Sequence, residues 1–344
     1  MEKLKLISAT DLAKRTNFRS GEVKFGEKML TVPKDVSAEH FIANCEAKYV
    51  LFGIPEDIGV RANHGRRGAH QTWNVALTAI ANIQHNRFCK GSKILALGAI
   101  DTDAEMEAAE NLDYKVSADR DALKLLVGKI DREVAHLVCT IIKAGKIPII
   151  VGGGHNNAYG NIKGTALAKG KSVNAVNLDA HSDFRILEGR HSGNGFSYAY
   201  EDGFLKKYFV FGLHECYTSK AVLDLLKKTD DRVRFNTYDE IKVKRQKNFE
   251  QELFQALSFI KTDYFGVEID LDSLPFVPSS AMTNSGFSIE EARQFVYHFG
   301  SHPNASYLHI CEGAPELENT GNPQLLGKLI GYLLTDFIKA SDRN

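Results

Sequence analysis

The chain has 344 residues, of which 43 are Lys or Arg and 43 are Asp or Glu, so its formal net charge is zero. This balance argues against the broad basic surface that is typical of proteins that bind nucleic acid or anionic lipid. Hydrophobic residues make up 43% and charged residues 25% of the sequence, which is ordinary for a folded protein and excludes a disordered one. The length allows two domains or one large α/β domain.

No stretch approaches the roughly 18 uninterrupted apolar residues that indicate a membrane span. The first six residues, Met1 to Leu6, place charges where a secretory signal needs an apolar run. We therefore expect a cytoplasmic protein with no membrane partner. The five cysteines lie far apart and form no Cys-x-x-Cys pair, which favours reduced thiols in or near the core over disulfides or a thiolate zinc site; they are Cys45, Cys89, Cys139, Cys216 and Cys311.

Short runs rich in Val, Ile, Leu and aromatic residues predict the strands. Most are continuous apolar runs, which is typical of parallel strands that are buried on both faces of a sheet. The predicted strands are Tyr49–Gly53, Lys93–Leu97, Ile147–Val151, Val173–Leu178, Tyr208–Gly212, Val233–Phe235, Tyr264–Ile269 and Ala305–Cys311.

Amphipathic helical patterns alternate with these strands. In Arg120–Ala144, and again from Leu325 to Phe337, apolar residues recur every three or four positions and form one stripe. The alternation predicts right-handed βαβ crossovers and an α/β fold, a three-layer αβα sandwich around a central, mainly parallel sheet of about eight strands. No linker is visible between residues 46 and 344, so we expect a single domain there. Residues 1–45 are predicted to be an N-terminal extension packed on it.

Three segments bring metal-ligating residue types to predicted strand ends, where ligands bind in folds of this kind. The first is Gly152-Gly153-Gly154-His155, directly after the strand Ile147–Val151. Its glycines allow a tight turn that presents the histidine. Taken alone, this segment is equally typical of a simple turn with an incidental histidine.

The other two segments are rich in carboxylates. Asp179, His181 and Asp183 project to the same side if this stretch is extended, because side chains alternate along a strand. The alternative for this segment is a helix N-cap with surface acids. Asp270 and Asp272 follow a later strand in the same manner. Together the three segments supply two imidazoles and four carboxylates from three strand ends.

These ligand types constrain the metal. Carboxylates packed this closely repel one another, and a cation resolves the repulsion. Four carboxylates balance two divalent cations, and an oxygen-rich set with two imidazoles and no thiolate suits manganese better than structural zinc. Two metals roughly 3.5–4 Å apart can bridge a water and lower its pKa, which makes hydroxide available at neutral pH. Hydrolysis is the predicted chemistry.

These residues resemble the ureohydrolase superfamily of arginases, agmatinases and formimidoylglutamases. In that superfamily a histidine after a glycine turn, an Asp-Ala-His-x-Asp segment and a later Asp-x-Asp bind two manganese ions. The resemblance extends from Gly-Ile-Pro-Glu-Asp at residues 53–57, followed by Arg-Arg-Gly-Ala at 66–69, to Glu312 after the last strand. It implies an arginase-like fold, a small-molecule amidine or guanidino substrate, and a homo-oligomer, since relatives commonly form trimers or hexamers.

The resemblance also implies a role for each site residue. It assigns one manganese to His155, Asp179, Asp183 and Asp270, and the other to His181, Asp179, Asp270 and Asp272. In such a site Asp179 and Asp270 bridge the metals, and Asp183 orients a metal-bridging hydroxide. Glu312 matches the acid that holds the cationic nitrogen end of the substrate. The alternative interpretation of Glu312 is a solvated glutamate at a strand end.

Two features look more like formimidoylglutamases than arginases or agmatinases: the Gly-Gly-Gly-His turn at residues 152–155, and Arg185. An arginine fork pairs well with a carboxylate, and formimidoylglutamate carries two. The alternative for Arg185 is a structural ion pair. The loop at residues 192–196 resembles the family's Ser-Gly-Thr-Pro-Phe or His-Gly-x-Pro segment, which makes Ser192 and Asn194 candidate substrate-binding residues. Ser192 takes the place of the proton-shuttling histidine of arginases, and His191, one residue earlier, is a candidate for that role or a simple loop histidine.

Other positions depart from the family pattern. Glu268 stands where the family usually has serine, Ser273-Leu274-Pro275 lacks the usual Asp-Pro, and the common Val-Asn is absent after Glu312. Three functions stay open at this point. The first is a dimanganese hydrolase of N-formimidoyl-L-glutamate that yields L-glutamate and formamide. The second is the same chemistry on a guanidino substrate such as agmatine, arginine or a guanidino acid, with release of urea. The third is a non-catalytic member of the fold that binds metal or ligand.

Overall fold

The computed structural model describes residues 3–229, 231–317 and 323–343. Within these residues one sheet of nine strands forms the centre of the molecule. The strands are β1 (Leu4–Leu6), β2 (Tyr49–Gly53), β3 (Ile94–Ile100), β4 (Ile147–Val151), β5 (Val173–Leu178), β6 (Leu205–Leu213), β7 (Val233–Thr237), β8 (Phe265–Asp270) and β9 (Ala305–Cys311). Their order across the sheet is β1-β3-β2-β4-β9-β8-β5-β6-β7.

The sheet is parallel except at one edge, where β1 pairs with β3 in the antiparallel direction. Successive residues of the central strands alternate between two apolar cores. In β4, Ile149 and Val151 pack into one core and Ile150 packs into the other. Because both faces are covered, these strands are continuous apolar runs. The predicted mainly parallel sheet is confirmed, with one strand more than expected.

Helices cover both faces of the sheet, which confirms the predicted three-layer αβα sandwich. In the described residues they are α1 (Ala9–Arg15), α2 (Ala38–Asn44), α3 (Ile58–Ala62), α4 (Thr72–Ala81), α5 (Asp103–Ala109), α6 (Ser117–Lys143), α7 (Ala158–Lys169), α8 (Gly195–Glu201), α9 (Lys220–Leu226), α10 (Phe249–Ile260), α11 (Ile289–Gly300) and α12 (Pro323–Ser341). None of the helices described here combines the length and the apolar character needed to cross a membrane.

Helices α6 and α7 approach each other closely at two glycines. A Cβ atom on Gly160 would lie 2.7 Å from the Cβ atom of Val134, and one on Gly164 would lie 2.5 Å from the carbonyl oxygen of Ala135. Real Cβ atoms do not make contacts this short, so larger residues would force the two helices apart. This contact fixes the start of α7, which directly follows the turn that contains His155.

Residues 3–45 share the sheet and the core with the rest of the described chain. Strand β1 extends the sheet, and Leu12 and Phe25 are buried in the same apolar core as Tyr49 of β2. Phe25 donates its backbone N–H to the carbonyl oxygen of Ile83 at 2.8 Å. The division of the chain at residue 45 stays a prediction.

All five cysteines are free thiols. Cys89 and Cys311 are buried, and Cys45 and Cys139 are half-buried, as expected. Cys216 is exposed, so the prediction of a thiol in or near the core was wrong at this position. The reason is its place in a short turn, Glu215–Tyr217, that follows β6 and lies outside the sheet.

Candidate metal centre

Four adjacent strands at the centre of the sheet, β4, β9, β8 and β5, end at the same edge. Each carries a predicted site residue at or just after its carboxyl end: His155 after β4, Glu312 after β9, Asp270 in β8 and Asp179 after β5. The order of the strands across the sheet therefore brings together residues that are far apart along the chain. This edge is where ligands bind in open α/β sheets.

Three carboxylates converge on the Nδ1 atom of His155. The nearest oxygens of Asp183, Asp270 and Asp179 lie 2.8, 3.1 and 3.3 Å from this nitrogen. The ligand atoms of all four residues lie within 4.8 Å of one another. His155 and Asp179 are fully buried. The arrangement offers one nitrogen and three oxygens to a single cation.

A second group lies beside the first and shares Asp179 with it. The Nδ1 atom of His181 is 3.4 Å from a carboxylate oxygen of Asp272 and 3.5 Å from one of Asp179. The ligand atoms of these three residues also lie within 4.8 Å of one another. In this arrangement Asp270 belongs to the first group, and one of its oxygens accepts the backbone N–H of Asp272 at 2.9 Å. Its bridging role stays a prediction.

The electrostatics of these two groups favour a cation. Burial, followed by the charge of Asp179, raises the pKa of Asp183 and the pKa of Asp270. Burial, followed by the charge of Asp270, raises the pKa of Asp272. One oxygen of Asp272 is buried and has no hydrogen-bond partner in the part of the chain that the structure describes. Divalent cations would neutralise this repulsion and satisfy that oxygen, so the residues present fit the metal centre that the fold implies.

A buried glutamate holds the turn that presents His155. One oxygen of Glu56 accepts the backbone N–H of Gly154 at 3.0 Å and the side-chain amides of Asn156 and Asn157 at 3.1 and 2.7 Å. The other oxygen accepts the first two backbone amides of α3 at 2.8 and 3.2 Å. Sequence reasoning used Glu56 only as part of a family motif. The run of glycines and asparagines around residue 155 was the sequence signal that could have indicated this role of Glu56. Those residues offer several N–H donors, which need an acceptor when they are buried.

Asp183 and Glu312 both have a left-handed backbone, with φ of 45° and 62°. Such a conformation costs about 1–3 kcal/mol for a residue other than glycine and persists only where the surroundings impose it. Glu312 is held on both sides: its carboxylate accepts the backbone N–H of His155 at 2.8 Å, and its own N–H donates to the carbonyl oxygen of Gly153 at 3.0 Å. Glu312 is therefore a buried, fixed side chain and not a solvated glutamate at a strand end.

A cavity of about 540 Å³ opens above the two groups. The predicted residues His181, Asp183, Asp270, Asp272 and Glu312 form its floor, and its walls include Asn63, His64, Arg185, Ser192, Tyr217, Ser219 and Ser280. This volume suits a small-molecule ligand.

Arg185 lines the cavity but already has protein partners. Its guanidinium donates to Glu188 at 2.9 Å and to the side-chain oxygen of Asn63 at 2.8 Å. Asn63 in turn donates to the hydroxyl of Ser192 at 3.2 Å. The side chain of Arg185 is 46% exposed, so it is also accessible to a ligand in the cavity. Its partner here is a protein acid, which leaves a guanidino substrate open as the alternative.

The structure places two predicted residues outside the cavity. His191 is buried, its Nδ1 accepts the backbone N–H of Gly193 at 3.1 Å, and burial, followed by the charge of Arg185, lowers its pKa to about 4. Asn194 accepts the backbone N–H of His191 at 3.0 Å and a hydrogen bond from Arg190 at 2.7 Å. Both side chains shape the loop. This arrangement does not support a proton shuttle at His191 or a substrate contact at Asn194.

Comparison with known proteins agrees with this geometry. The Arginase family model matches residues 47–334. The chain belongs to the arginase family. As a member of this family it is a metal-dependent hydrolase that acts on amidine C–N bonds. The family membership confirms the resemblance that the sequence motifs indicated.

Similar arginase-family proteins include several formimidoylglutamases. The formimidoylglutamase of Macrococcus caseolyticus is 24% identical over 295 residues, which cover 83% of this chain and 82% of that protein. The crystal structure of formimidoylglutamase from Bacillus subtilis matches with a TM-score of 0.76 at 18% identity, over 95% of each chain. The structure of Trypanosoma cruzi formiminoglutamase with Mn²⁺ has a TM-score of 0.70 at 19% identity and covers 93% of this chain and 98% of that one. These structures confirm the arginase-like fold.

Proposed function

We propose that this arginase-family chain hydrolyses N-formimidoyl-L-glutamate to L-glutamate and formamide with two manganese ions. The observation that carries the proposal is the polarity of one cavity: Glu312 is buried at its floor, and Arg185 lies on its exposed wall. A substrate with an amidinium group at one end and carboxylates at the other complements this arrangement. The similarity to proteins named formimidoylglutamase supports the same choice.

One ion would be held by the group around Nδ1 of His155, and the other by the group of His181, with Asp179 shared between them. When bound, such ions lower the pKa of water and polarise the substrate, which supplies the nucleophile at neutral pH. The ligands are mainly carboxylate oxygens with two imidazoles, a set that suits manganese.

The protein's own residues would bind and orient the substrate. The carboxylate of Glu312 would bind the amidinium N–H groups and hold the formimidoyl carbon above the floor of the cavity. Asp183 would accept a proton from the attacking water at a carboxylate oxygen and return it to the nitrogen that leaves as the amine of glutamate. Arg185 would exchange its contact with Glu188 for a substrate carboxylate. The oxygen of the water ends on the formimidoyl carbon and a proton ends on the leaving nitrogen. The products are therefore formamide and L-glutamate.

A guanidino substrate is the second candidate, and the pairing of Arg185 with Glu188 favours it. While this pair persists, the wall of the cavity carries little uncompensated positive charge, so a substrate without a carboxylate, such as agmatine, would also be accommodated. The same chemistry would then release urea. The third candidate function is that of a non-catalytic member of the fold that binds metal or ligand.

Product identification tests these alternatives. Manganese-reconstituted protein is incubated separately with formimidoylglutamate, agmatine, arginine and guanidinobutyrate, and the products are identified by mass spectrometry. Formamide and glutamate from the first incubation alone support the proposal, whereas urea from any of the others moves the chain to the guanidino branch. Asp183→Ala should abolish turnover, and retained turnover would remove Asp183 from the mechanism. A protein with two bound ions that forms no product with any of the four compounds favours the non-catalytic alternative.

A further inference from the structure

Glu268 is a fully buried carboxylate on β8, two residues before Asp270. It lies behind His155, on the opposite side of the imidazole from the three aspartates of the first group. The mechanism proposed above does not use it. A buried carboxylate at this position requires partners, since burying an unpaired charge is costly.

Two neighbours on β9 orient the Glu268 carboxylate. One oxygen accepts the hydroxyl of Tyr307 at 2.7 Å, and the other is 2.5 Å from Nδ1 of His309. The second nitrogen of His309 lies 3.4 Å from the carbonyl oxygen of Gly152. Tyr307 and His309 are fully buried. The carboxylate is therefore held in one orientation by side chains that are themselves fixed.

The two ring nitrogens of His155 face different surroundings. Nδ1 faces the aspartates at 2.8–3.3 Å, and Nε2 lies 3.5 Å from the Glu268 oxygen that His309 also contacts. Nε2 is buried and makes no hydrogen bond to any residue that the structure describes. A metal ion on Nδ1 requires the ring proton to be on Nε2. Metal-ligating histidines usually donate this second N–H to a carboxylate, a backbone carbonyl or water.

The thiol of Cys311 is the competing acceptor for that N–H. Its sulfur lies within 4.8 Å of the ring nitrogens of His155 and His309, and it contacts the carbonyl oxygen of Ile269 at 3.5 Å. A thiol is a weak acceptor, whereas a hydrogen bond to a carboxylate is among the strongest in proteins. The chemistry therefore favours Glu268.

We propose that Glu268 is a positioning residue for the metal site at His155. When a metal ion occupies Nδ1 of His155, the Glu268 carboxylate accepts Nε2–H, keeps Nδ1 directed at the three aspartates, and strengthens metal binding at this site but not at the site of His181. The inference rests on the proposed function, because it requires both groups to hold ions. The side chain of His181 is 34% exposed and has no contact with Glu268 among those described.

Metal binding to the full-length protein tests the proposal without any activity assay. Protein stripped of metal with a chelator is titrated with manganese chloride by calorimetry, and bound metal is counted by mass spectrometry. Glu268→Gln should weaken one of the two sites by about 10- to 100-fold and leave the other unchanged. On a His181→Ala background, which leaves only the site at His155 intact, the same substitution should weaken the one remaining site by the same factor.

Three further variants make the result specific. Glu252→Gln is the matched control, because Glu252 is also a buried glutamate that accepts a side-chain amide, that of Asn236 at 3.0 Å, but it lies on α10. It should leave both sites unchanged. Tyr307→Phe removes one hydrogen bond to Glu268 and keeps the negative charge of Glu268, so it should weaken the same site by a smaller factor than Glu268→Gln does. This variant also tests the proposal if Glu268→Gln does not fold. Cys311→Ser should keep both sites.

Two unchanged sites in both Glu268→Gln and Tyr307→Phe would overturn the proposal. Equal weakening of both sites in Glu268→Gln would also overturn it, because this indicates a general structural defect. Loss of one site in Cys311→Ser but not in Glu268→Gln would assign the contact to the thiol. A wild-type protein that binds no manganese would instead refute the proposed function itself, so the two failures are distinguishable.

Discussion

Arg190 and Asp131 form a buried ion pair with two parallel contacts, Nε to Oδ2 at 2.9 Å and Nη2 to Oδ1 at 3.2 Å. The same guanidinium donates to the carbonyl oxygen of Asn156 at 2.8 Å and to the side-chain oxygen of Asn194 at 2.7 Å. Arg190 therefore joins three parts of the molecule: helix α6, the turn after β4, and the loop that carries Ser192.

Replacing Arg190 by methionine should lower the free energy of unfolding by about 3–5 kcal/mol, because it leaves the charge of Asp131 buried and unpaired. Urea denaturation followed by circular dichroism measures this. The double variant Arg190→Met with Asp131→Asn should lose less free energy of unfolding than the two single variants lose together, since Asp131→Asn removes the unpaired charge. Lys220→Met, which breaks an exposed pair with Asp224, is the control and should change little. Additive losses would show that Arg190 and Asp131 are not coupled.

Glu56→Gln should also destabilise the protein, by at least about 3 kcal/mol, because hydrogen bonds to a charged acceptor contribute about 1.5–3 kcal/mol each. The glutamine amide would point an N–H donor at groups that are themselves donors. The turn that presents His155 should loosen, so manganese affinity should fall together with stability. Denaturation and calorimetric titration measure the two effects. A variant that keeps wild-type stability would contradict the hydrogen bonds assigned to Glu56.

Arg185→Ala should raise the KM for formimidoylglutamate by roughly 10- to 100-fold with a smaller change in kcat, because it removes a charge-assisted contact to a substrate carboxylate. Glu188→Gln should have the opposite effect and lower the KM, since it frees the guanidinium from its protein partner. Steady-state kinetics on both variants measures this pair of effects. An unchanged KM in Arg185→Ala would show that the arginine has only a structural role.

The ion pair between His70 and Asp57 predicts a pH-dependent contribution to stability. Nδ1 of His70 lies 2.6 Å from Asp57, and this hydrogen bond raises the pKa of His70 above its ordinary value of 6.5. Burial opposes ionisation of Asp57, but its hydrogen bonds, led by the one from His70, hold its pKa below the ordinary 3.8. The contribution of His70 to the free energy of unfolding is fully present below the ordinary pKa of histidine. It is lost as the pH rises through the raised pKa of His70. The contribution of Asp57 is lost only as the pH falls through its lowered value.

His70→Gln should therefore be less stable than the wild type at about pH 6, and the difference should shrink toward about pH 9. Denaturation of both proteins at each pH measures it. The carboxylate groups of the metal centre are common to both proteins, so their own pH dependence cancels in the difference. A difference that grows with pH would reverse the assigned sign.

The sequence alone predicted the central strands and the long helix well, because burial imposes clear patterns on both. The expected helix Arg120–Ala144 is Ser117–Lys143 in the structure. Strand β1 was missed because it has three residues, lies at the edge of the sheet and has no continuous apolar run. Helix α7 was not assigned because it is buried on most sides by glycine and alanine contacts, which leave no single apolar stripe.

In the site, residue types and strand ends sufficed to nominate the two metal-binding groups. The sequence could not predict that the side chain of His191 lies outside the cavity. Its position depends on hydrogen bonds to Gly193 and Glu188 within an irregular segment. The partner of Arg190 is 59 residues away in the chain, on another helix. Such pairings depend on how helices and loops pack, and local sequence patterns carry little information about them.

Strand β9, the last strand along the described part of the sequence, lies between β4 and β8 in the middle of the sheet. During synthesis the segments with His155 and Asp179 leave the ribosome long before this strand. Until β9 inserts, β4 and β8 have no neighbour on their facing sides, and Glu312 is absent from the floor of the cavity. The candidate metal centre is thus completed by a strand that is made after the other eight described strands, so a nascent or prematurely terminated chain that ends before residue 305 has neither a closed sheet nor a complete site.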